Sequence, residues 1–213
     1  MKRTLDLALS LLGLIVLGPV FLAVALLIKF EDGGPVLYRG LRAGRHGRPF
    51  RMLKFRSMVV NADRIGPPST AADDRRITRV GRRLRTYKLD ELPQLLNVIT
   101  GDMSLVGPRP EVLQEVELYT DEEKLLLTVR PGITDDASLR FHNEGELLRG
   151  SADPHRTYRE KIRPEKMRLG IEYVRRRSLW GDLVILMRTA LTPFGLGRRS
   201  RDQSGPSRLE MRR

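Results

Sequence analysis

The sequence predicts an α+β fold that is mainly helical, with a small β-hairpin, amphipathic helices and an apolar N-terminal membrane helix. Three observations support this prediction. Residues 7–28 are uncharged and almost wholly apolar, the runs 36–42 and 50–58 read as strands on either side of a turn-rich segment, and several later segments repeat apolar residues at helical spacing. A length of 213 residues suits one domain, or one domain with an anchor.

Composition narrows the classes of function. The formal net charge of +13 predicts an anionic partner: a nucleic acid, an anionic lipid or a phosphorylated substrate. The absence of cysteine excludes disulfides, thiolate metal sites and a cysteine nucleophile. The 3 histidines have no paired spacing, which argues against a histidine zinc site.

The apolar run at residues 7–28 is long enough, at 22 residues, to cross ~30 Å of hydrocarbon as a helix. Charged residues rather than a small-residue cleavage site follow it, which disfavours a signal peptide. It has no polar face, which disfavours a core helix of a soluble protein. Gly18-Pro19 interrupts the run, so the helix either spans the membrane with a kink or breaks there and returns to the same face. The residues alone leave both arrangements open.

The rest of the chain divides into short elements. The strands 36–42 and 50–58 predict the hairpin, and the polar run 61–76 predicts a loop. Apolar spacing predicts helices over the segments 77–85, 90–99, 111–127, 160–177 and 179–191, with turns at 107–111 and 130–134. The predicted organisation is a membrane helix at 1–30, a folded domain at 31–192 and a disordered basic tail at 193–213.

Asp90 and Glu91 are the candidate carboxylates. Acids in the first turn of a helix suit its dipole, and taken alone this reading is the more common one. The functional reading is that a carboxylate at this position acts as a nucleophile or holds Mg²⁺. Because neighbouring residues on a helix point in different directions, the two acids would have different roles.

Basic residues surround this pair in the sequence. Lys54 and Arg56 are two apart on a predicted strand and share a face, and Arg85 shortly precedes the acids. Arg109 lies between two prolines, which restrict its backbone. It would therefore lose little conformational entropy when it binds a phosphate. The alternative is that these are solvated surface charges. No phosphate-binding Walker loop, Rossmann fingerprint or Ser-His-Asp order is present.

Several long motifs together resemble the bacterial sugar transferases, the small monotopic phosphoglycosyl transferases. The motifs cover roughly residues 2–190 in the family's order. They are Lys2-Arg3 with Asp6, Gly34-Pro35 with Tyr38-Arg39, Lys54-Phe55-Arg56-Ser57-Met58, Thr78-Arg79-Val80-Gly81-Arg82 with Leu84-Arg85, Leu89-Asp90-Glu91-Leu92-Pro93-Gln94-Leu95, Asn97-Val98 with Gly101-Asp102-Met103-Ser104, Val106-Gly107-Pro108-Arg109-Pro110-Glu111, and Arg130-Pro131-Gly132-Ile133-Thr134.

The resemblance implies an activity. Such enzymes transfer a sugar-1-phosphate from a UDP-sugar to a polyprenyl phosphate, undecaprenyl phosphate in bacteria, and release UMP. It implies that Asp90 and Glu91 form the catalytic dyad, with Asp90 as the nucleophile and as a ligand of Mg²⁺. Lys54, Arg56, Arg85 and Arg109 are the candidate substrate-binding residues.

The resemblance also implies a place in the cell. It favours a re-entrant membrane helix broken at Gly18 and Pro19, with residues 31–192 as the catalytic sugar-transferase domain on the cytoplasmic face of the bacterial inner membrane. The apolar stretch 181–191, with Trp180 before it, is then either an amphipathic helix in the membrane interface or an ordinary core helix. The expected partners are the UDP-sugar, the polyprenyl phosphate and membrane lipid, but no nucleic acid; a homodimer stays open.

The sequence departs from the family at two places. The break is Gly18-Pro19 rather than the family's frequent Ser-Pro, and residues 135–143 differ from the usual run, with His142 in place of an expected arginine. The donor sugar therefore stays open. The alternatives are a membrane-tethered nucleic-acid-binding protein, suggested by the sequence pI of about 10.8, and an inactive adaptor on the same fold.

Overall fold

The computed structural model describes residues 1–66 and 69–192, so the predicted tail at 193–213 lies outside the described residues. The described part is mainly helical with a small antiparallel hairpin, which confirms that much of the predicted fold class. In chain order the helices are α1 (Lys2–Asp32), α2 (Arg79–Thr86), α3 (Gln94–Thr100), α4 (Leu113–Val116), α5 (Asp136–Arg140), α6 (Glu144–Leu147), α7 (Pro154–Thr157), α8 (Arg163–Arg176) and α9 (Leu179–Leu191). The strands are β1 (Leu37–Ala43), β2 (Pro49–Phe55), β3 (Ser104–Val106) and β4 (Gly132–Thr134).

The hairpin β1–β2 packs on α3. Phe50 and Met52 alternate inward along β2 and join Leu95 and Val98 of α3 in the largest buried apolar cluster. The side chain of Asn97 takes the place of a third strand: its Oδ1 accepts from Leu53 N at 2.8 Å, and its Nδ2 donates to Arg51 O at 2.9 Å. Helix α3 therefore fixes both the packing and the backbone of β2.

A second sheet, which the sequence does not predict, pairs β3 with β4 in parallel. The prediction placed a turn at 130–134 because Pro131 and Gly132 mark turns. The backbones approach so closely that a Cβ at Gly107 would lie 2.7 Å from Arg130 O, and a Cβ at Gly132 would overlap the backbone of Gly107. Glycine is required at both positions by this approach, which periodicity does not reveal.

The predicted helix over 111–127 is wrong. The structure has the short helix α4 and a 3₁₀ segment Glu123–Thr128 instead. Thr120 N donates to Glu123 Oε2 at 2.9 Å, and Glu123 N donates to Thr120 Oγ1 at 3.3 Å. This reciprocal pair is a capping box, which starts a new helical segment and so ends the old one.

The predicted helix over 90–99 begins later than expected. A 3₁₀ turn, Leu89–Glu91, carries the two acids, and α3 starts at Gln94 after Pro93. Lys88 precedes the turn with a φ of 58°, a left-handed conformation that reverses the chain between α2 and the acids. The acids therefore lie in a tight connection rather than in the first turn of a regular helix.

One face of α1 packs along the protein for its whole length. Asp6, Ser10, Val24 and Ile28 are buried at helical spacing, and Gly13 meets Leu95 of α3. The other faces expose large apolar side chains: Leu11, Leu12, Ile15, Val16, Leu22, Leu26, Leu27 and Phe30. Within the described residues, α1 is the one helix long and apolar enough to cross a membrane. It therefore has one protein-facing stripe and a broad apolar surface.

Both ends of α1 bond to the same body of protein. At the N-terminal end, Lys2 Nζ donates to Asp182 Oδ2 at 2.6 Å, and Asp6 Oδ2 accepts from Ser104 Oγ at 2.9 Å. At the C-terminal end, Glu31 Oε1 accepts from Val80 N at 3.0 Å. The helix therefore lies along the domain rather than projecting away from it.

The predicted break at Gly18 and Pro19 is not seen, because α1 is helical without interruption from Lys2 to Asp32. Proline inside a helix removes one hydrogen bond and bends the helix, but it does not have to end it. Leu17 packs on the central apolar cluster, while Val20 and Phe21 pack on the cluster around Phe55. Contacts on both sides of Pro19 thus hold the segment helical.

Helices α8 and α9 complete the domain at its C-terminal side. The predicted helix over 160–177 is present as α8, preceded by a π-helical segment Tyr158–Ile162 that continues α7. In α9, Asp182 and Ile185 are buried, whereas an apolar stripe is exposed at Trp180, Leu183, Met187 and Leu191. Helix α9 is therefore both a core element and an amphipathic surface.

Candidate active site

Asp90 and Glu91 lie at the centre of a group of cationic side chains drawn from distant parts of the chain. Lys54 comes from β2, Arg85 from α2 and Arg109 from the turn after β3. The sequence predicted these three as phosphate-binding candidates near the acids, and the structure brings all three close enough to act on the pair electrostatically.

Glu91 is held by two cations. Lys54 Nζ donates to Glu91 Oε1 at 3.0 Å, and Arg109 donates to both carboxylate oxygens, reaching Oε2 at 3.1 Å. Burial alone would raise the pKa of Glu91, but the charges of Arg109 and Lys54 outweigh it and hold the pKa well below its ordinary value. Glu91 is therefore ionised, and both of its oxygens accept hydrogen bonds from Lys54 or Arg109.

Asp90 has a different environment. It is 5% exposed, and its Oδ1 is buried with no hydrogen-bond partner among the described residues. Burial raises the pKa of Asp90, and the charge of Glu91 adds to this, while Lys54, Arg85 and Lys88 oppose it. Asp90 is thus the carboxylate whose Oδ1 accepts no hydrogen bond from the described residues.

Lys54 is positioned by the hairpin. Its strand is fixed by Asn97, and the antiparallel register places Tyr38 directly opposite. Burial lowers the pKa of Lys54, and the charge of Glu91 opposes that shift. The ammonium group is therefore kept in the site by its ion pair rather than by water.

Arg109 is positioned by the parallel pair β3–β4. Gly107 N donates to Thr134 O, and Gly132 N donates to Pro108 O, each at 3.0 Å. Pro108 and Pro110 then restrict the backbone on both sides of the arginine. The two close-packed glycines and the two prolines together aim the guanidinium at Glu91.

Arg56 takes a different place from the one predicted. It follows β2 and is buried, and it donates to Asp32 Oδ2 at 2.5 Å and to Pro35 O at 2.6 Å. Its partners lie at the end of α1 rather than at Glu91. In this structure Arg56 joins the end of α1 to the hairpin.

Sequence reasoning missed Lys88, which lies near the acids, and two side chains on the hairpin face that carries Lys54. The charge of Lys88 acts on both carboxyl groups. Tyr38 and Arg42 lie on the same hairpin face as Lys54. Strand alternation could have found the second group, since residues 38 and 42 share a face, whereas the position of Lys88 depends on its left-handed backbone.

The arrangement can bind a polyanion beside an uncommitted carboxylate. Cations attract phosphate groups, and a carboxylate without a hydrogen-bond partner can act as a nucleophile. A family model described as bacterial sugar transferase matches residues 1–195 of the chain. The chain belongs to the bacterial sugar transferase family. It is accordingly an enzyme, as the sequence motifs indicated.

Named relatives cover most of this sugar transferase. It is 39% identical over 204 residues to an exopolysaccharide production protein of Sinorhizobium fredii, covering 88% of this chain and 83% of the relative. It is 40% identical over 191 residues to a UDP-glucose:undecaprenyl-phosphate glucose-1-phosphate transferase of Caulobacter vibrioides. That match covers 88% of this chain and 67% of the relative.

The chain spans less than half the length of another relative. It is 38% identical over 200 residues to a UDP-N-acetylgalactosamine-undecaprenyl-phosphate N-acetylgalactosaminephosphotransferase of Aeromonas hydrophila, covering 91% of this chain and 44% of the relative. The names of the Caulobacter and Aeromonas relatives specify different sugars. Identity of this degree therefore does not carry a donor sugar over to this chain.

Proposed function

We propose that this sugar transferase moves a sugar-1-phosphate from a UDP-sugar to undecaprenyl phosphate at the membrane, releasing UMP. This would be the first membrane step of polysaccharide or glycoconjugate synthesis. The observation that carries the proposal is the buried Asp90 carboxylate, with one oxygen unpartnered, among Lys54, Arg85 and Lys88. The relatives named as undecaprenyl-phosphate transferases support the same reaction.

The first half-reaction is a displacement at phosphorus. A carboxylate oxygen of Asp90 attacks the β-phosphorus of the donor, a bond forms between them, and the bond from that phosphorus to the bridging oxygen breaks. UMP leaves with the electron pair, and the sugar-phosphate stays on Asp90 as an acyl phosphate. Lys54 and Arg109 stabilise charge that develops on the phosphate oxygens.

The second half-reaction restores the enzyme. A phosphate oxygen of undecaprenyl phosphate attacks the same phosphorus, and the bond to Asp90 breaks with its electron pair returning to the carboxylate. The product is an undecaprenyl diphosphate sugar. A covalent intermediate allows one site to handle an aqueous donor and a lipid acceptor in turn.

Glu91 serves the reaction by holding its cations. Both of its oxygens accept hydrogen bonds, so it is neither a free base nor a free nucleophile. It keeps Lys54 and Arg109 in one geometry, which lowers the entropy lost when they grip a phosphate. Glu91 is a positioning residue in this scheme.

The site suits a Mg²⁺ ion that binds together with the diphosphate of the donor. Among the described residues, no cluster of three or more carboxylate or histidine side chains could hold a metal alone. Mg²⁺ is commonly held by one or two carboxylates together with substrate phosphates. Glu91 is committed, so Asp90, with its unpartnered oxygen, would hold the ion, which would offset the charge of the diphosphate.

The membrane arrangement is proposed to be monotopic, with both ends of α1 on the cytoplasmic face of the bacterial inner membrane. The ion pair of Lys2 with Asp182 and the hydrogen bond of Glu31 with Val80 support it, because they tie both ends to one domain. The apolar stripe of α9 suits the membrane interface. Basic segments stay on the cytoplasmic side, and the domain is basic.

The test is a donor screen on the purified protein. UDP-glucose, UDP-galactose and UDP-N-acetylgalactosamine are each incubated with undecaprenyl phosphate and Mg²⁺, and UMP and the lipid-linked sugar are quantified. We expect equal amounts of both products for at least one donor. A folded protein that releases no UMP from any UDP-sugar contradicts the proposal.

The covalent step is tested without the acceptor. A donor labelled with ³²P at its β-phosphate should label the wild-type protein and leave Asp90→Asn unlabelled, and later addition of undecaprenyl phosphate should remove the label. Turnover without labelling of the protein would contradict the aspartyl intermediate while leaving the overall transfer in place.

A further inference from the structure

One face of the hairpin carries polar side chains beyond Lys54. The antiparallel register pairs Tyr38 with Lys54 and Arg42 with Phe50, so all four side chains lie on the same face. Phe50 is buried in the core, and Lys54 reaches Glu91. Tyr38 and Arg42 therefore lie on the side of the hairpin that faces the acids, whereas Arg39 lies on the opposite side.

Tyr38 and Arg42 converge above Gly40. A Cβ at Gly40 would lie 2.8 Å from Tyr38 Cε1 and 3.2 Å from both Tyr38 Oη and Arg42 Nη1. The missing side chain at residue 40 leaves the space in which the phenol and the guanidinium meet. Tyr38 therefore helps to fix the direction of Arg42.

Arg42 lies beside the turn that carries Arg109. The next residue, Ala43, donates its N–H to Glu111 O at 3.0 Å, which joins the end of β1 to the Arg109-Pro110-Glu111 turn. Burial lowers the pKa of Arg42 and the charge of Arg109 lowers it further, whereas Tyr38 and Glu111 oppose the shift. Two guanidinium groups are thus held together at a cost in electrostatic energy.

The two arginines differ in their partners. Arg109 binds Glu91, whereas Arg42 has no ion-pair partner among the described residues and donates to its neighbour Leu41 O at 2.8 Å. Glu111 attracts Arg42 without pairing with it. Two neighbouring guanidinium groups repel each other, and one of them has no counter-charge. A bound anion would stabilise such a pair.

We infer that Arg42 binds the donor phosphate nearest the nucleoside, the phosphate that leaves in UMP. This inference rests on the proposed function. Asp90 must meet the β-phosphate that is transferred, and Arg109 reaches the neighbouring Glu91. Arg42 lies on the same face of β1 four residues beyond Tyr38, the residue opposite Lys54, and it precedes Ala43, which bonds to the turn that carries Arg109. It therefore meets the phosphate one bridging oxygen farther from Asp90 than the phosphate that Lys54 contacts.

The test compares two ligands that differ by this phosphate. UMP and uridine are titrated calorimetrically against the full-length protein in detergent micelles, for the wild type, Arg42→Gln and Arg42→Lys. We expect Arg42→Gln to weaken UMP binding about tenfold or more and to leave uridine binding unchanged, because a charge-assisted contact is lost. Arg42→Lys should weaken UMP binding less, since it keeps the charge but loses the planar fork.

Arg39→Gln is the matched control. It removes the same charge from the same strand on its exposed, opposite face, and UMP binding should stay at the wild-type value. If Arg42→Gln does not fold, the ratio of UMP to uridine affinity in Arg42→Lys decides. An unchanged ratio in a folded Arg42 variant, or an equal loss in Arg39→Gln, overturns the inference.

The outcome separates this inference from the proposed function. A wild-type protein that turns over a UDP-sugar, together with an Arg42 variant whose ratio of UMP to uridine affinity is unchanged, overturns the role of Arg42 alone. A wild-type protein that binds UMP through Arg42 but transfers no sugar overturns the proposed transfer alone. A wild-type protein that does not bind UMP contradicts both.

Discussion

Asp90 and Glu91 are adjacent in the sequence, but their side chains have different hydrogen-bonding environments. Glu91 receives hydrogen bonds from Lys54 and Arg109, and Asp90 is left with a buried, unpartnered oxygen. A carboxylate that must form a bond with phosphorus cannot also be committed to a guanidinium. The two environments differ in the way that the proposed roles of nucleophile and positioning residue require.

Exchanging each acid for its amide separates function from stability. Asp90→Asn should reduce turnover about a thousandfold or more, because the proposed nucleophile is lost. It should not lower the melting temperature, since it removes a buried charge without taking a hydrogen bond from Oδ1. Activity assays and thermal denaturation in the same detergent measure both effects.

Glu91→Gln is the control for this prediction. It leaves the ammonium of Lys54 and the guanidinium of Arg109 without their shared counter-charge, and we expect a loss of about 3 kcal/mol of unfolding free energy. If Asp90→Asn destabilises the protein more than Glu91→Gln does, the assignment of the two environments is wrong.

The pH dependence of kcat/KM should report the raised pKa of Asp90. The nucleophile must be ionised, so kcat/KM should fall as pH decreases through a value above the ordinary 3.8 of an aspartic acid. Stability should change in the opposite direction: a folded-state pKa above the unfolded one means that protonating Asp90 stabilises the fold, and this gain disappears as pH rises through the folded pKa.

Glu91 separates loss of activity from unfolding in the same titration. Its pKa is well below the ordinary 4.5, so its stabilising contribution is complete above 4.5 and is lost only as pH falls through the lower folded value. Circular dichroism at each pH therefore should show a folded protein where kcat/KM has already fallen. A fall in kcat/KM that coincides with unfolding would contradict this prediction.

At the scale of elements, regular patterns were predictable and close backbone approaches were not. Alternation at residues 36–42 and 50–58 predicted the hairpin, whose observed strands are β1 and β2. The parallel pair β3–β4 is only three residues long on each side, and it depends on Gly107 and Gly132, which read as turn residues. The capping box at Thr120 and Glu123 was visible in the sequence as a threonine followed three residues later by a glutamate, but the apolar spacing suggested a longer helix.

Two glycine substitutions test the role of this short sheet. Gly132→Ala should displace β4 and the Arg109 turn, because its Cβ would overlap the backbone of Gly107, and we expect lower stability and activity. Gly18→Ala is the matched control: its Cβ meets nothing within 4 Å, and alanine favours a helix by about 1 kcal/mol. Thermal denaturation and turnover of both variants measure the difference. Equal behaviour of the two variants would show that the close approach does not position Arg109.

At the scale of the whole molecule, the sequence predicted a basic protein with a membrane helix, but it left the position of that helix open. Position depends on contacts between residues far apart in the chain, such as Lys2 with Asp182 and Asp6 with Ser104. Proline at 19 suggested a break, whereas packing on both sides of it keeps α1 continuous. Neither set of contacts has a local pattern that periodicity could detect.

Cysteine labelling tests the proposed topology, because the chain contains no cysteine of its own. Thr4→Cys, near the N-terminal end of α1, and Asp121→Cys, in an exposed segment of the domain, are each treated with a membrane-impermeant maleimide. Both should be protected in intact spheroplasts and labelled after permeabilisation, because both ends of α1 contact one domain. Labelling of Thr4→Cys alone in intact spheroplasts would show that α1 crosses the membrane.

The bond between Lys2 and Asp182 also constrains the order of events during translation. The ribosome completes Lys2 180 residues before its partner Asp182, and until then the protein-facing stripe of α1 is not fully covered. The hairpin, α3 and β3 can cover most of that stripe as they emerge, because Asp6 bonds to Ser104 and Lys2 also bonds to Val106 O, but the ion pair of Lys2 waits until α9 is synthesised. Closure of this contact therefore comes late in the maturation of the nascent chain. Truncation before α9 should leave an intermediate that lacks this ion pair and that cellular proteases can recognise.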